Sequence, residues 1–314
     1  MNKEQIIELR LKIENSLKEL VDRDYVFLDL PYHPNVGDTL IAMAAMHFLK
    51  STGYNCLYYS SEYTFDDRQI SSDVLIIFNG GGNFGDLWRN YAVFRNRIIH
   101  KYPNNHFLIL PQSVSYGDRY YLDEDIKVYS NCGNRITICA RDADSYKFLK
   151  NHFNSNRILL VPDMAFYTDN KFLTFSTASE RILFLRRSDS EFVSSPKYDI
   201  VPTNAEVHDW PTLENLSWLH KIYYRIKIRT LKHWYPRILL KMEDYVWQKW
   251  ILPYNLRSGI RFVNRYDVIY TTRLHVAILA ILLNKQVFFF DNSYGKNSAL
   301  YNTWLTDFSN VTLL

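Results

Sequence analysis

The feature that most constrains the fold is an alternation of short apolar runs with segments of helical spacing. Runs with strand character recur through the first half of the chain, at residues 25–30, 55–59, 74–78, 107–110, 136–140 and 158–161. Helical segments lie between most of them. Strands that alternate with helices predict a doubly wound parallel sheet, whose binding crevice lies at the carboxyl ends of the strands.

The same pattern restarts near residue 170, with further strand candidates at 181–185, 267–270 and 286–290. A chain of 314 residues is long enough for two domains. We therefore predict an α/β protein of two doubly wound Rossmann-like domains that face a cleft. The N-terminal domain is predicted over 1–170 and the C-terminal domain over 171–314, with the active site between them.

The net charge of +4 and the pI of about 8.7 are mildly basic. This balance suits an anionic substrate or a membrane surface and is too weak to indicate a nucleic-acid partner. Cys56, Cys132 and Cys139 lack metal-type spacing, and their odd number argues against a disulfide framework. Because we also find no signal peptide and no apolar run of about 20 residues, we expect a cytoplasmic location and no structural metal.

A glycine-rich stretch at 79–88 reads Asn-Gly-Gly-Gly-Asn-Phe-Gly-Asp-Leu-Trp. It follows the strand candidate 74–78 and precedes a segment of helical spacing that begins near Leu87. Glycines between a strand and a helix let the backbone approach a ligand, with the amides of the first helical turn exposed to it. The alternative is a tight turn that requires positive φ angles.

Within that stretch, Gly80, Gly82 and Gly85 have the spacing of a dinucleotide-binding fingerprint. The fingerprint also needs an acidic residue about 20 positions later, at the end of the next strand. The next strand ends at Leu110-Pro111-Gln112 without an acid. The sequence therefore excludes a nicotinamide dinucleotide at this loop.

Two aspartates stand where predicted strands end. Asp38 closes the loop 31–38, just before a helix predicted from about Thr39, and Asp163 follows the strand candidate 158–161. Either carboxylate can act as a base or bind a sugar hydroxyl. The alternative for Asp38 is simple capping of the helix, which stabilises a helix by about 1 kcal/mol.

Several cations also lie at predicted strand ends. Arg273 and His275 stand where a strand passes into a helix, Arg186 and Arg187 end another strand, and Lys296 follows the last one. A cation at a helix N-terminus opposes the macrodipole, so an anion between the side chain and the helix amides explains it better. The sequence shows no obvious acidic partners and predicts a pocket for a phosphate plus a carboxylate. The alternative is that neighbouring Asp and Glu side chains neutralise these cations.

Residues 213–257 are rich in basic and aromatic side chains. They include Lys221, Arg225, Lys227, Arg229, Lys232, Arg237, Lys241 and Lys249, interleaved with Trp218, Tyr223, Tyr224, Trp234, Tyr235, Trp247 and Trp250. Such a helical insertion can lie on an anionic membrane surface. The alternative is a long helix or helix pair that packs its rings on the second domain.

Four motifs together resemble those of the polysaccharide pyruvyl transferase family. In order they are Asn35-Val36-Gly37-Asp38-Thr39-Leu40-Ile41, Gly80-Gly81-Gly82-Asn83-Phe84-Gly85-Asp86, Ala140-Arg141-Asp142-x-x-Ser145 and Arg273-Leu274-His275. The resemblance covers roughly 33–190 and 262–300. It implies a GT-B-like fold and transfer of the enolpyruvyl unit of phosphoenolpyruvate to a sugar of a polysaccharide or its precursor, giving a pyruvate ketal.

The resemblance also implies roles for individual residues. Arg273, His275 and either Arg186 or Arg187 hold phosphoenolpyruvate, and Lys296 is a further candidate for this donor site. Phosphoenolpyruvate is a co-substrate, and no cofactor is expected. His275 can be the acid that protonates C3 or a phosphate ligand. Asp38 or Asp163 can be the base.

The cations belong to the predicted second domain, so the first domain is expected to face the acceptor. The acceptor-side loops are predicted to comprise Asn35, Gly37, Asp38, Gly81, Gly82, Asn83 and Asp86. The expected partners are phosphoenolpyruvate and a saccharide, which can be lipid-linked, with peripheral membrane contact through 213–257. The competing functions are a GT-B glycosyltransferase that uses a nucleotide sugar, and a non-catalytic module that binds glycan or lipid carrier.

Overall fold

The computed structural model describes residues 2–66, 69–173, 179–187, 196–218, 220–224, 237–291 and 295–314. These residues form two compact units. The N-terminal unit comprises Leu9–Tyr32 and Ala44–Tyr167, and the C-terminal unit comprises the described parts of Met1–Glu8, His33–Met43 and Thr168–Leu314. The segment 33–43, which contains Asp38, therefore groups with the C-terminal strands rather than with the sheet that precedes and follows it in the chain.

The strands of the N-terminal unit form a parallel sheet. They are Tyr25–Leu28 (β1), Cys56–Tyr59 (β2), Leu75–Phe78 (β3), Gly81–Gly85 (β4), Phe107–Ser115 (β5), Ile136–Ala140 (β6) and Arg157–Leu160 (β7). The order across the sheet is β2-β1-β3-β5-β6-β7, and β4 also pairs with β5. Every residue of β1, β3 and β6 is buried, as expected where a parallel sheet is covered on both faces.

The helices in the first half of the chain are Lys3–Leu17 (α1), Val36–Ser51 (α2), Arg89–Lys101 (α3), Arg119–Ser130 (α4) and Ala143–His152 (α5). Short 3-10 turns occur at Lys18–Leu20, Gly133–Arg135 and Met164–Tyr167. Side-chain caps start several of the helices, among them α4 and α5. The Asp118 carboxylate accepts from the Tyr120 amide before α4, and that of Asp142 accepts from the Ser145 amide before α5. Local sequence thus sets where α4 and α5 begin.

The strands of the C-terminal unit form a second parallel sheet. They are Ile182–Leu185 (β8), Glu206–His208 (β9), Val268–Thr271 (β10), Gln286–Phe289 (β11) and Val311–Leu313 (β12). The order is β12-β11-β10-β8-β9, and all pairings are parallel. The sequence patterns predicted β8, β10 and β11 but missed β9 and β12, because three-residue strands carry too little periodicity to be recognised.

The labelled helices of the C-terminal half are Pro211–Glu214 (α6), Arg237–Val246 (α7), Leu252–Val263 (α8), Leu274–Leu282 (α9) and Lys296–Leu300 (α10). A short helix is also described at 218 and 220–224, between α6 and α7. Trp247–Ile251 and Tyr301–Leu305 are π-helical, and Asn170–Phe172 and Pro196–Ile200 are 3-10 turns. Gly259 on α8 packs against Val36, because a Cβ at Gly259 would lie 2.3 Å from Val36 Cγ1. This contact helps to hold the start of α2 in the C-terminal unit.

The glycine-rich stretch does not form the predicted loop between a strand and a helix. Gly81–Gly85 is the extended strand β4, which runs beside the second half of β5, and α3 begins only at Arg89. Gly85 has a φ of 122°, and a Cβ there would lie 1.8 Å from the Ser115 carbonyl oxygen. Gly85 thus has the positive φ that the tight-turn alternative required, but within an extended strand and not in a tight turn, and glycine is required there because β4 passes directly against β5.

The fold class is confirmed at the level of a mixed α/β protein with parallel, Rossmann-like sheets. The GT-B-like arrangement of two domains facing a cleft stays a prediction. Within the described ranges, no helix has both the length and the apolar character required to cross a membrane.

Candidate active site

The predicted cations gather at the carboxyl edge of the C-terminal sheet. Leu185, the last residue of β8, is level with Thr271 at the end of β10, which in turn is level with Phe289 at the end of β11. The residues that follow these strands therefore emerge at the same edge. Arg186 and Arg187 follow β8 there, and Arg273 lies two residues beyond β10.

Arg273 is buried and caps the N-terminus of α9 with an extended backbone. Its Nε and Nη2 donate to the two carboxylate oxygens of Asp209, each at 2.6 Å. The expectation that the strand-end cations have no acidic partner is thus wrong for Arg273. The partner escaped the sequence interpretation because Asp209 directly follows β9, a strand that the pattern missed.

Asp209 is itself held in place by its neighbours. Its backbone amide donates to Glu214 Oε1 at 2.6 Å, and its Oδ1 accepts from the Trp210 amide at 2.7 Å. Both Asp209 and Trp210 are buried. The bidentate pair therefore fixes the plane of the Arg273 guanidinium, with Nη1 on the side away from the carboxylate. It also reduces the net positive charge that Arg273 contributes to the site.

His275 lies in the first turn of α9 and is half-buried. Its ring lies against Gly37, since a Cβ at Gly37 would be 2.9 Å from His275 Nδ1 and 3.1 Å from its Cγ. A glycine at position 37 is therefore what allows the imidazole to approach the start of α2. The structure brings together two of the sequence motifs that are more than 200 residues apart in the chain.

The start of α2 carries a polar cluster around Asp38. The Asn35 side chain donates from Nδ2 to Asp38 Oδ2 at 2.8 Å, and its Oδ1 accepts from the Gly37 amide at 2.9 Å. His33 Nε2 lies 3.6 Å from the same Asp38 oxygen. The helix begins at Val36, not at Thr39, so Asp38 lies inside the first turn. Asn35 therefore binds the amide of that turn, and the capping alternative for Asp38 is wrong.

The other donor-site candidates lie at the same edge. The Arg186 amide donates to the His208 carbonyl at 3.0 Å, and its side chain is exposed. The Arg187 amide donates to Thr272 Oγ1 at 3.2 Å, and this side chain is half-buried. Lys296 is the first residue of α10 and is half-buried. The choice between Arg186 and Arg187 for the donor stays open.

A tyrosine that the sequence interpretation missed lies near Arg186. Tyr198 packs its ring against Phe184 and Phe290, with ring centroids 5.3 and 5.0 Å away. Burial raises the pKa of Tyr198, while the positive charge of Arg186 acts in the opposite direction. The Tyr198 pKa is raised overall, so Tyr198 stays protonated at neutral pH.

Asp163 belongs to the N-terminal unit and is fully buried. Its Oδ2 accepts from Arg141 Nη1 at 2.8 Å, and its Oδ1 accepts from the Ala165 amide at 2.8 Å. Arg141 Nε also donates to Ser113 Oγ, whose hydroxyl donates to Asp142. These contacts join the ends of three neighbouring strands, which favours a structural role for the Arg-Asp-x-x-Ser motif. The role of Asp163 as a base stays a prediction.

The predicted acceptor-side residues of the glycine-rich stretch are also in the N-terminal unit. Asp86 accepts from the backbone amides of Gly117 and Asp118 at 2.6–3.0 Å and so anchors the loop before α4. Asn83 accepts from Arg95 through its side chain at 2.9 Å and through its carbonyl at 2.6 Å. Gly81 is buried and Gly82 is half-buried in β4.

Arg95 was missed by the sequence interpretation. It is fully buried on α3 and donates to Asp29 Oδ2 at 2.7 Å. Asp29 follows β1 with a φ of 68°, and burial raises the pKa of Asp29 to about 6 even though Arg95 lowers it. The sequence of α3 is that of an amphipathic helix, and Arg95 lies on its apolar side, at the spacing of Ala92, Ile98 and Ile99. That position is the sequence signal from which a buried ion pair of Arg95 could have been predicted.

No metal site is evident in the part of the chain that the structure describes, where no three His, Cys, Asp or Glu side chains are grouped suitably. The three cysteines form no disulfide. Six of the basic and aromatic residues predicted in the 213–257 segment lie outside the described residues, namely Arg225, Lys227, Arg229, Lys232, Trp234 and Tyr235.

Comparison with known proteins decides the family. Residues 35–294 match the family described as polysaccharide pyruvyl transferase. The chain belongs to this family. The matched region contains all four motifs quoted above, and it confirms the resemblance as well as the prediction of a pyruvyl transferase enzyme.

Two named pyruvyl transferases are similar in sequence to this chain. EpsO of Bacillus subtilis (strain 168), whose name assigns it to the pyruvyl transferases, is 30% identical over 315 residues, with 100% of this chain and 95% of EpsO covered. Pyruvyl transferase 1 of Schizosaccharomyces pombe (strain 972 / ATCC 24843) is 27% identical over 291 residues, which cover 88% of this chain and 69% of the yeast protein.

A solved structure is also similar to this pyruvyl transferase. The crystal structure of a functionally uncharacterised protein from Klebsiella pneumoniae subsp. pneumoniae NTUH-K2044 has a TM-score of 0.67 and 25% sequence identity, and 98% of each chain is covered. It supports the α/β fold described above.

Proposed function

We propose that this pyruvyl transferase takes its pyruvyl group from phosphoenolpyruvate and forms a pyruvate ketal on a sugar of a polysaccharide or its precursor. The observation that carries the proposal is the buried Arg273, whose guanidinium is fixed by Asp209 at the N-terminus of α9. A guanidinium held in one plane is suited to bind a phosphate or carboxylate through two parallel hydrogen bonds.

The surroundings of Arg273 fit the two anionic groups of phosphoenolpyruvate. The helix α9 directs its first backbone amides toward the same edge of the sheet. Arg186 and Arg187 add cationic side chains beyond β8, and Lys296 adds one at the start of α10. The Asp209 carboxylate neutralises part of the charge of Arg273, so a trianionic donor is expected to contact these other cationic side chains as well.

The proposed reaction has two additions. A proton goes to C3 of the enol phosphate and generates a cation at C2, which an acceptor hydroxyl attacks while losing its proton to a base. The C2–O bond to phosphate then breaks and phosphate leaves. A second hydroxyl adds to C2, loses its proton to solvent and closes the ketal ring. His275 supplies the first proton or binds the phosphate. Its place in the first turn of α9, beside Arg273, suits either role.

Of the proposed bases, Asp38 has the better supported position. It is half-buried, and it lies next to Gly37, which contacts the His275 ring. The described contacts of Asp38 involve Oδ2, so Oδ1 can accept a proton from a hydroxyl. Both oxygens of Asp163, in contrast, accept hydrogen bonds within a buried network.

The test is the binding of phosphoenolpyruvate, which needs no knowledge of the acceptor. Arg273→Lys removes the bidentate geometry and should raise the dissociation constant about 10- to 100-fold, the loss expected for one or two charge-assisted hydrogen bonds. Titration calorimetry measures this dissociation constant.

Arg181→Lys is the matched control. Arg181 makes the same side-on pair with Glu206, with hydrogen bonds of 2.8 Å, but it precedes β8 instead of following it. This variant should bind phosphoenolpyruvate as the wild type does. Equal affinity of Arg273→Lys and wild type would overturn the proposed donor site, and tight binding of a nucleotide sugar in place of phosphoenolpyruvate would support the glycosyltransferase alternative.

The acceptor is proposed to be a saccharide, with lipid linkage as an open alternative, and the cytoplasmic location stays a prediction. The name of the family implies a polysaccharide acceptor. Asn35 is hydrogen-bonded to the proposed base Asp38, and Gly37 lies against the His275 ring, so we expect these three residues to contact the acceptor hydroxyl.

A further inference from the structure

The described end of the 213–257 segment is a helix whose inner face is well packed. Asp244, Trp247 and Ile251 point inward at helical spacing and are buried. The Trp247 ring packs against Tyr223 at 5.2 Å and His220 at 6.1 Å between ring centroids. The contacts that stabilise this helix are therefore made by its inner face.

The outer face of the same helix is also apolar, which folding alone does not explain. Met242, Val246 and Trp250 lie on it four residues apart and are 58%, 38% and 62% exposed. The π-helical turn Trp247–Ile251 widens the helix where it begins, so residues four apart stay aligned there. A row of exposed large apolar side chains is characteristic of a surface that binds something.

A row of two lysines and a tyrosine borders this apolar row. Lys241, Tyr245 and Lys249 are exposed at the same spacing, each one position before a member of the apolar row. We call the six residues Lys241, Met242, Tyr245, Val246, Lys249 and Trp250 the outer face. It combines aliphatic, aromatic and cationic side chains in parallel rows.

The outer face carries no carboxylate. Of the acidic residues on this stretch, Glu243 is half-buried and bonded to the Tyr223 hydroxyl, and Asp244 is buried. The short helix at 218 and 220–224, which packs on Trp247 through Tyr223, repeats the pattern outside, with exposed Trp218, Lys221 and Ile222. Its outward side chains are therefore also apolar or cationic.

We propose that the outer face binds the head-group layer of an anionic lipid membrane, with Met242 and Trp250 inserted and Lys241 and Lys249 against lipid phosphates. Tryptophan and tyrosine are favoured at the level of the head groups. An apolar row beside lysines, without acidic residues, matches an amphipathic helix that lies in the plane of a membrane surface. The interaction is independent of the reaction proposed for the carboxyl edge of the sheet.

The experiment is co-sedimentation of the full chain with lipid vesicles. Vesicles of phosphatidylcholine with about 30 mol % phosphatidylglycerol should bind the protein, and pure phosphatidylcholine should bind it much more weakly. The double variant Lys241→Glu/Lys249→Glu should lower binding to anionic vesicles at least about thirtyfold, because each lysine near such a surface contributes roughly a fivefold factor. Trp250→Ser should weaken binding to either vesicle about tenfold.

Matched control variants are available on α4 of the N-terminal unit. Tyr120→Ser removes an aromatic ring that is 69% exposed, and Lys127→Glu reverses an exposed charge on the same helix. Both should sediment like the wild type. Calorimetric binding of phosphoenolpyruvate by the outer-face variants shows whether the proposed donor site is intact, since no residue of this face belongs to that site.

Three results would overturn the proposal. One is the absence of vesicle binding by the wild type, and another is equal loss of binding in the control variants. The third is concentration-dependent self-association, measured by analytical ultracentrifugation without lipid, that Trp250→Ser abolishes. That result would assign the outer face to a second copy of this chain.

Discussion

Substitution of Gly37 by alanine tests the contact that joins the start of α2 to His275. In isolation the change should stabilise the protein, because alanine in a helix is favoured over glycine by about 1 kcal/mol. In this structure the added Cβ would lie 2.9 Å from His275 Nδ1, 3.0 Å from its Cβ and 3.1 Å from its Cγ. Carbon contacts are favourable only from about 3.5 Å, so the ring or the first turn of α2 must move by about 0.5 Å.

The magnitude follows from these opposing effects. Overpacking of a well-packed site costs about 1–3 kcal/mol, and the His275 Cβ is part of α9, so the ring cannot simply rotate away. We expect a net loss of about 0–2 kcal/mol in the free energy of unfolding. A displacement of 1 Å at a reacting group costs about a hundredfold in function. A shift of half that size should weaken phosphoenolpyruvate binding about tenfold.

Urea denaturation and titration calorimetry measure the two effects separately. Gly117→Ala is the control, since the nearest atom to its added Cβ would be 3.8 Å away. A Gly37→Ala protein that is more stable than the wild type would refute the close approach of His275. A destabilised variant with unchanged affinity for phosphoenolpyruvate would instead leave the contact intact and remove His275 from the donor site.

Two further predictions concern the N-terminal unit. Gly85→Ala should lower the free energy of unfolding by about 2–5 kcal/mol, because its Cβ would collide with the Ser115 carbonyl at 1.8 Å. Urea denaturation measures this loss, with Gly117→Ala as the control. Equal stability of the two variants would contradict the prediction. Burial raises the pKa of Asp29 to about 6 although Arg95 lowers it, whereas an unfolded Asp has a pKa of about 3.9. The folded state therefore binds this proton more tightly, so the stability of the wild type relative to Asp29→Asn should fall by up to about 3 kcal/mol as the pH rises from 4 to 7. Denaturation of the wild type and of Asp29→Asn at a series of pH values should show this fall in relative stability. A stability difference between the two proteins that is constant or rises with pH would exclude it.

Much of the framework could be predicted from the sequence. The strands β1, β3, β6, β8, β10 and β11 are apolar runs whose burial follows from their composition. The helix α9 was predicted for the same reason. The places of Arg273 and His275, directly after β10, followed from that local pattern.

The errors have a common cause. The residues of β4 were interpreted as a ligand-facing loop, with a tight turn as the alternative, because glycines stand there between a strand candidate and a helical segment, yet the backbone is extended where it pairs with β5. The strand β9 was missed because three residues carry little periodicity. Both errors arose where pairing with a neighbouring strand, rather than the local sequence, determines the conformation.

The sequence alone determined the parallel α/β class, the clustering of cations at strand ends and the family motifs, because each depends on residues close together in the chain. Only the tertiary structure decided which of these residues contact one another. Asp209 meets Arg273 across 64 residues because β9 and β10 flank β8, and Gly37 meets His275 because 33–43 packs with the C-terminal unit. Local periodicity shows which face of an element is buried, but strand order decides which charged groups meet there.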